Sequence, residues 1–255
     1  MKKSLSVIKI SGKIIDNESQ LENFLYDFHN LNSYKILVHG GGVQIDNDME
    51  KLGLPIKKFE GKRITDLDTM GVVLMNAFKL NYRIVQKLSS FSPNNWPSYI
   101  GLWDDRAVWR STKRPVGDNG IDYGFVGDVS EKSLNLKDMS FNYGVPVFPP
   151  ITLCHYNNTY YNSNADNVAT AIALALSPQY SVSLSFISDV PGVLDADKNL
   201  IERITEADYA ELKQSGVVSG GMIPKLDSAF KAITKGVSAV EIRNSLVRAG
   251  TTITR

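Results

Sequence analysis

Two short apolar runs near the start of the chain each end in glycine, and they constrain the fold more than any other feature. The first covers residues 7–11 and ends at Gly12, and the second covers residues 36–39 and is followed by three glycines at 40–42. Such runs predict strands, and the glycines predict tight turns into helices. These turns bind anions, because unpaired backbone amides and the helix dipole favour negative charge. Together they predict a phosphate or carboxylate site at the carboxyl ends of a parallel sheet.

The composition argues against several classes of protein. A net charge of +1 over 255 residues gives no reason to expect nucleic acid or a membrane surface as a partner. The single cysteine, Cys154, cannot form an intramolecular disulfide, and its apolar neighbours predict a buried, inert thiol. No segment has the pattern of a signal peptide or the apolar length of a transmembrane helix. We therefore expect a cytoplasmic protein.

Strand and helix patterns alternate along the chain. Runs typical of strands occupy residues 5–10, 36–38, 99–102, 124–129, 144–148, 159–162, 182–187, 239–242 and 251–254. Helical patterns follow Asp16, the triple-glycine turn and Gly221, and others cover residues 65–88, 165–176 and 205–212. No linker separates independent units, so we expect a single domain over residues 1–255. The alternation predicts an α/β sandwich with a mainly parallel central sheet.

The helical patterns also make predictions for single residues. In the helix after the triple-glycine turn, Leu52 is predicted to face the core. Thr65 and Asp68 predict a capping box at the start of the long helix. Asn164 is predicted to cap the helix that begins at Ala165.

Several common motifs are absent from the sequence. Gly12-Lys13 is followed by isoleucine and Gly61-Lys62 by arginine, so neither forms the phosphate loop of the large class of nucleotide hydrolases. Position 45, where a dinucleotide-binding turn needs its third glycine, is an isoleucine. The histidines and the cysteine have no zinc-binding spacing, and no protein-kinase catalytic loop is visible.

Six segments, in chain order, resemble the amino-acid kinase family. They are residues 9–12 (KISG), 38–42 (VHGGG), 61–65 (GKRIT), 162–166 (NSNAD), 188–194 (SDVPGVL) and 220–225 (GGMIPK). Asn-x-Asn-Ala-Asp and Arg-x-Thr are the most specific, and the resemblance spans about residues 5–254. Within the family, the segments are similar to the members that phosphorylate the side-chain carboxylate of N-acetyl-L-glutamate in arginine biosynthesis.

The resemblance implies a fold and assigns a different ligand to each of two lobes. The fold is a three-layer α/β/α sandwich with a mainly parallel central sheet. Roughly, residues 1–165 form the acceptor-binding and dimer lobe, and residues 166–255 form the ATP-binding lobe. Because the first strand starts by about Leu5, there is no room for the N-terminal helix that links dimers of arginine-inhibited members into hexamers. We therefore expect an arginine-insensitive homodimer.

The implied chemistry explains why lysines matter. A carboxylate acceptor with a pKa of roughly 4 is already ionised and needs no general base. It needs positioning beside ATP and neutralisation of the charge on the transferring group. By resemblance, Lys9 stabilises the phosphoryl group and the acceptor side, Lys225 stabilises the leaving phosphates, and Asp166 holds both lysines. The alternatives are solvated surface lysines and an aspartate that only complements a helix dipole.

The acceptor and nucleotide contacts also follow from the resemblance. Gly41 and Gly42 would offer amides to the acceptor, Arg63 would bind its α-carboxylate and Asn162 its backbone. For Arg63 the alternative is an exposed hairpin charge. The implied ATP contacts are Gly12, Asp189, Val190, Gly192, Val193, Leu194, Val217, Val218 and Ser219. Mg²⁺ would be held mainly by the phosphates, so no protein ligand for a metal is predicted.

The segment after residue 100 departs from the family pattern. It carries Arg106, Arg110, Lys113 and Arg114, and we hypothesise that these accommodate a larger or anionic acyl group such as N-succinyl. The alternative is a solvated basic loop. Two other functions stay open: another amino-acid kinase, with aspartate, glutamate, carbamate or a nucleoside monophosphate as acceptor, and a non-catalytic ligand sensor of the same fold.

Overall fold

The structure is a computed structural model that describes residues 2–59, 61–92, 98–101, 109–116, 120–134, 141, 144–154 and 157–255. The strands are β1 (Lys3–Ile10), β2 (Tyr34–His39), β3 (Lys58–Phe59), β4 (Lys62–Arg63), β5 (Tyr99–Gly101), β6 (Trp109–Lys113), β7 (Val126–Leu134), β8 (Val145–Phe148), β9 (Ile151–Cys154), β10 (Thr159–Ser163), β11 (Tyr180–Ile187), β12 (Arg203–Ile204), β13 (Ala239–Arg243) and β14 (Thr251–Ile253). The helices are α1 (Gly12–Asp16), α2 (Glu18–His29), α3 (Gly42–Lys51), α4 (Leu67–Ser90), α5 (Ala165–Leu176), α6 (Glu206–Gln214) and α7 (Met222–Thr234).

An eight-stranded sheet forms the centre of the molecule. Its strand order is β12-β14-β13-β11-β1-β2-β8-β5. Neighbouring strands are parallel except at the junction of β13 and β14. Strand β1 lies between β2 and β11, so the carboxyl ends of these three strands meet at one edge of the sheet. The predicted mainly parallel sheet is confirmed.

Helices cover both faces of the sheet. Because side chains alternate along a strand, Leu5 and Val7 point to one face of β1, and Ile8 and Ile10 point to the other. The first pair packs in a buried cluster with α5, α6 and α7. The second pair packs with α1, α2 and α4. The fold is therefore the expected three-layer α/β/α sandwich.

A small closed barrel of four strands, in the order β10-β7-β6-β9, adjoins the sheet. Hydroxyl groups fill part of its interior. The Thr152 hydroxyl lies 2.8 Å from the hydroxyls of Ser111 and Ser163, and Ser163 Oγ donates to the carbonyl of Gly127 at 3.0 Å. Strand β10 leads directly into α5, so the barrel sets the position at which that helix begins.

Most of the predicted elements are present. The apolar face of α2 is buried as expected, and Asn164 caps α5 by accepting from the amides of Asp166 and Asn167. Cys154 is buried. Among the described residues, no helix is both long and apolar enough to cross a membrane.

Two residue predictions are wrong. Leu52 is 61% exposed, because α3 ends at Lys51 and the side chain lies beyond its buried face. Thr65 does not cap α4; Asp66 does, with its carboxylate accepting from the amide of Thr69 at 2.9 Å. Thr65 is instead fully buried and bridges to Gly124.

Candidate active site

A cleft of 310 Å³ opens at the edge of the sheet where α1, α3 and α5 begin. The structure brings seven of the predicted site residues to its wall. They are Lys9, Gly12, Gly41, Gly42, Arg63, Asn162 and Asp166. Pro224, in the first turn of α7, also lines the cleft and brings the start of that helix to the same place.

Two lysines meet one carboxylate beside the cleft. Lys9 Nζ lies 2.7 Å from Asp166 Oδ1, and Lys225 Nζ donates to Asp166 Oδ2 at 3.2 Å. Each of the three residues is at most 8% exposed. The alternation of β1 explains the meeting, because Lys9 points to the same face as Leu5 and Val7, where α5 and α7 pack. The interpretation of Lys9 and Lys225 as solvated surface charges is therefore wrong.

The charged groups of this cluster shift one another's pKa values. Burial alone would raise the pKa of Asp166, but the ammonium groups of Lys9 and Lys225 outweigh it and lower the pKa to about 2. Burial lowers the pKa of Lys225, and repulsion from Lys9 lowers it further, while Asp166 opposes both. Two ammonium groups against one carboxylate leave an excess of positive charge, which suits an anionic ligand.

The two glycine turns lie against each other across the base of the cleft. A Cβ on Gly12 would lie 3.3 Å from the amide nitrogen of Gly42, and one on Gly40 would lie 3.2 Å from the amide nitrogen of Gly12. Gly12 and Gly42 are the first residues of α1 and α3, where the helix itself provides no partner for the amide. The two helices therefore leave these amides without an intrahelical partner, and their contact with an anion stays a prediction.

Arg63 is held at the cleft wall by α3. Its Nη2 atom lies 2.8 Å from Asp46 Oδ1 and donates to the carbonyl of Gly42 at 3.2 Å. Lys58 Nζ lies 2.6 Å from the other oxygen of Asp46. Because Arg63 is only 9% exposed, its interpretation as an exposed hairpin charge is wrong. The sequence analysis missed Asp46; its place one helical turn after Gly42 is the signal that could have identified it.

Asn162, near the end of β10, also lines the cleft. Its side-chain amide donates to the hydroxyl of Thr65 at 3.2 Å, which connects the barrel to the segment that leads into α4. Asn162, Arg63 and the glycine turn therefore line the same cleft.

The eight predicted ATP contacts other than Gly12 do not line the cleft. They form two groups, Asp189–Leu194 after β11 and Val217–Ser219 before α7. The first group packs on β14: the Val193 amide donates to Thr251 Oγ1 at 2.8 Å, and a Cβ on Gly192 would lie 2.5 Å from that oxygen. Their contact with a nucleotide stays a prediction.

The remaining groups near this turn are engaged within the fold. Asp189 pairs with Lys13 at 2.8 Å, and the amide of Val218 donates to the carbonyl of Leu212 at 3.0 Å.

Asp166 is the only carboxylate among the described residues of the cleft wall, and both of its oxygens face lysines. The described residues of the cleft wall therefore offer a metal ion no carboxylate that is free of a lysine.

The basic segment after residue 100 is described only in part. Arg106 and the side chain of Arg110 lie outside the described residues. Arg114 lines the cleft, pairs with Asp128 and lies over the ring of Tyr123 at 5.5 Å. Lys113 does not line the cleft.

Comparison with known proteins identifies the family. The sequence model of the amino acid kinase family matches residues 4–244. The chain belongs to the amino acid kinase family. Relatives named acetylglutamate kinase match more than nine-tenths of the chain: the Cytophaga hutchinsonii protein is 42% identical, with 93% of this chain and 90% of the relative covered. The one from Bacteroides fragilis is 41% identical, with 95% and 92% covered.

Solved structures of the same fold agree with this family assignment. The smu.665 protein of Streptococcus mutans is 29% identical, with a TM-score of 0.83 over 100% of this chain and 99% of that one. Carbamate kinase from Giardia lamblia, at 15% identity, has a TM-score of 0.67 over 100% and 99%. The second likeness extends to the amino acid kinase fold alone.

Proposed function

We propose that this family member is an acetylglutamate kinase, which transfers the γ-phosphoryl group of ATP to the side-chain carboxylate of N-acetyl-L-glutamate in arginine biosynthesis. The named relatives support the substrate, since they match over more than nine-tenths of the chain. The observation that carries the proposal is the buried Lys9–Asp166–Lys225 cluster beside a cleft that two glycine turns line.

The reaction needs charge neutralisation on both sides of the transferring phosphorus. A carboxylate oxygen of the acceptor forms the new P–O bond, and the bond to the bridging oxygen of ADP breaks. In our proposal Lys9 neutralises the phosphoryl oxygens and the acceptor side. Lys225 neutralises the leaving phosphates, and Asp166 holds the two ammonium groups in place. All three act by electrostatics, so no proton has to move.

The acceptor end of the cleft is assigned to four residues. Gly41 and Gly42 donate amides to the reacting carboxylate, Arg63 binds the α-carboxylate and Asn162 binds the acceptor backbone. The pairing of Arg63 with Asp46 supports this role, because it fixes the guanidinium plane while leaving other N–H groups for a carboxylate.

The nucleotide is assigned to the second half of the chain. We propose that ATP lies over residues 189–194 and 217–219, with its terminal phosphates near Gly12. Mg²⁺ would accompany ATP on the phosphates, in line with a cleft wall whose described residues include no carboxylate free of a lysine. On this proposal residues 1–165 form the acceptor and dimer lobe and residues 166–255 the ATP lobe. The enzyme would work in the cytoplasm.

A stripe of apolar side chains on α4 supports the proposed homodimer. Leu67, Met75, Phe78 and Tyr82 recur at helical spacing and are between 50% and 71% exposed. The rings of Phe78 and Tyr82 stack with centroids 6.5 Å apart. Two copies related by a twofold axis would bury the same stripe against itself.

One observation keeps a second acceptor in consideration. Arg114, Lys58 and Lys62 line the same cleft as Arg63. Asp128 pairs with Arg114, and Asp46 pairs with both Lys58 and Arg63, so these four cations still outnumber their carboxylate partners. An N-succinyl group would supply the additional negative charge. Ready turnover of the acetyl substrate with no reaction of the succinyl one would reject this alternative.

The decisive experiment traps the acyl phosphate with hydroxylamine in the presence of ATP. N-acetyl-glutamate, N-succinyl-glutamate, glutamate and aspartate are compared side by side. We expect product with an N-acylated glutamate only. Product with the free amino acids alone would assign the chain to another branch of the family, and no product with any acceptor would favour a ligand sensor.

Variants connect the activity to the cluster. Replacing Lys9 or Lys225 with methionine should lower kcat by roughly 100-fold or more, because each removes a charge that stabilises the transition state. Lys51→Met is the matched control, since Lys51 is an exposed lysine on α3. Equal activity of all three variants would reject the assigned roles.

A further inference from the structure

A buried polar chain runs from α4 to the triple-glycine turn. His39, at the end of β2, is 0% exposed, and Asn81, on α4, is 1% exposed. Asn81 Nδ2 donates to the carbonyl of Val147 at 2.9 Å and lies 3.3 Å from His39 Nε2. His39 Nδ1 lies 3.0 Å from the carbonyl oxygen of Gly40. The proposed function assigns no role to the side chain of His39 or to that of Asn81.

The chemistry of the donors fixes where the protons lie. The carbonyl of Val147 can only accept, so the group of Asn81 that faces it is the NH₂. The same NH₂ faces His39 Nε2, which must therefore accept and carry no proton. In a neutral imidazole the proton is then on Nδ1, and Nδ1 donates to Gly40.

Burial keeps the ring in this single form. It lowers the pKa of His39 to about 4, although the carbonyl of Gly40 opposes the shift. The imidazole is thus neutral at physiological pH. Gly101 contributes to the arrangement, because a Cβ at that position would lie 2.2 Å from Asn81 Oδ1.

The hydrogen bond to Gly40 determines the direction of the next amide. The Gly40 amide donates to the carbonyl of Ile10 at 2.9 Å, so His39 and Ile10 together hold both polar groups of this glycine. In a trans peptide the N–H of the following residue points away from the carbonyl oxygen. The carbonyl of Gly40 faces the buried ring, so the Gly41 N–H points away from it, and Gly41 lines the cleft.

We propose that His39 is a positioning residue, which directs the Gly41 amide at the negative charge of the reacting groups through its hydrogen bond to Gly40. This rests on the proposed function, in which that amide binds the reacting carboxylate. His39 itself touches neither substrate. Its effect is electrostatic preorganisation, since the amide is oriented before the anion arrives.

Replacing His39 with asparagine or with glutamine distinguishes a role in positioning the Gly41 amide from a role in packing. In His39→Asn the side-chain NH₂ occupies nearly the place of Nδ1 and can still donate to Gly40. In His39→Gln the amide lies nearer the place of Nε2 and cannot. We expect kcat/KM for N-acetyl-glutamate to stay within about 5-fold of wild type in His39→Asn and to fall by ~10-fold or more in His39→Gln.

Controls make the comparison interpretable. His29→Gln, at a histidine bonded to Tyr99 rather than to the glycine turn, should leave kcat/KM unchanged. Thermal unfolding is measured for every variant, and we expect the two variants at position 39 to be similarly destabilised. Equal activities of the two would overturn the proposal, because a role in packing alone would affect both alike.

A spectroscopic measurement tests the protonation state of His39 independently of enzyme activity. In wild-type protein with ¹⁵N-labelled histidine, we expect His39 to have the proton on Nδ1 and not to titrate between pH 5 and 8. A proton on Nε2, or a titration near the ordinary pKa, would overturn the proposal even if His39→Gln failed to fold. Lack of turnover by wild type would reject the proposed function and leave this measurement standing.

Discussion

Gly12 and Gly42 lie so close together that a Cβ on Gly12 would be 3.3 Å from the amide nitrogen of Gly42. These residues begin two different helices, α1 and α3, which follow the neighbouring strands β1 and β2. Their proximity directs two helix N-termini at one small volume. On the proposed function, an anion bound there would contact the amides of both helix N-termini together.

The first prediction concerns the close contact between Gly12 and Gly42. Gly12→Ala should lower kcat/KM by ~10-fold or more, because the backbone of Gly42 has to shift away from the added methyl group. Gly42→Ala should leave the unfolding temperature unchanged, since a Cβ there meets nothing within 4 Å, while the methyl group narrows the cleft. Steady-state kinetics and thermal unfolding check both variants. Full activity of Gly12→Ala would contradict the prediction.

The second prediction concerns acid stability. The pKa of Asp166 is about 2 in the folded protein, against 3.8 for the ordinary side chain. The unfolded chain therefore binds the proton first as the pH falls. The stabilisation is complete above about pH 5 and is lost as the pH falls through 2; it amounts to about 2 kcal/mol.

Asp166→Asn tests this dependence. At pH 7 the free energy of unfolding should fall by about 3–5 kcal/mol, because two buried lysines lose their counter-charge. The difference from wild type should shrink between pH 4 and pH 2, as measured by urea unfolding at each pH. Asp197→Asn, at an exposed turn, is the control and should show a constant difference. A difference that did not vary with pH would refute the assignment.

The third prediction separates the two substrates. Arg63→Lys should raise the KM for the N-acylated glutamate by ~10-fold or more and leave the KM for ATP unchanged, since one ammonium group cannot bond Asp46 and Gly42 and also present further N–H groups to the α-carboxylate in a fixed plane. Lys57→Met, at an exposed neighbouring position, should change neither constant. A rise in the KM for ATP alone would place Arg63 on the nucleotide side instead.

The fourth prediction concerns assembly. Met75→Glu introduces a charge into the apolar stripe of α4 and should convert a dimer into a monomer of 28.2 kDa. Val247→Glu replaces an apolar residue that is 76% exposed elsewhere and should leave the mass unchanged. Sedimentation velocity distinguishes the two outcomes. A monomeric wild-type protein would reject the proposed interface.

Local sequence patterns predict the helices well and the barrel poorly. The apolar spacing of α2 and the cap of α5 are encoded within a few residues, so both are readable. Strands β6 and β9 are not predicted, because they are short and the barrel interior contains hydroxyls such as Ser111 and Thr152. The hydroxyl of Ser111 is bonded to that of Thr152 in a strand distant along the chain, and no local apolar alternation reveals this pairing.

The residues of the candidate site also differ in how far the sequence predicts them. The resemblance to a family, and not periodicity, indicated that Lys9 and Lys225 would share Asp166. The strand alternation explains afterwards why Lys9 faces α5. The role of Asp46 depends on how α3 packs against the hairpin of β3 and β4, and that packing is a tertiary feature which a single sequence does not encode locally.

The place of β1 within the sheet has a consequence for how the polypeptide is made. One edge of β1 pairs with β2, which follows soon after it, but the other pairs with β11, with Lys3 opposite Tyr180. During synthesis that second edge stays open until well over half of the chain has emerged. Pairings between such distant segments form slowly, and an open apolar strand invites aggregation. A fragment ending at residue 165 should therefore be insoluble, even though it contains Lys9.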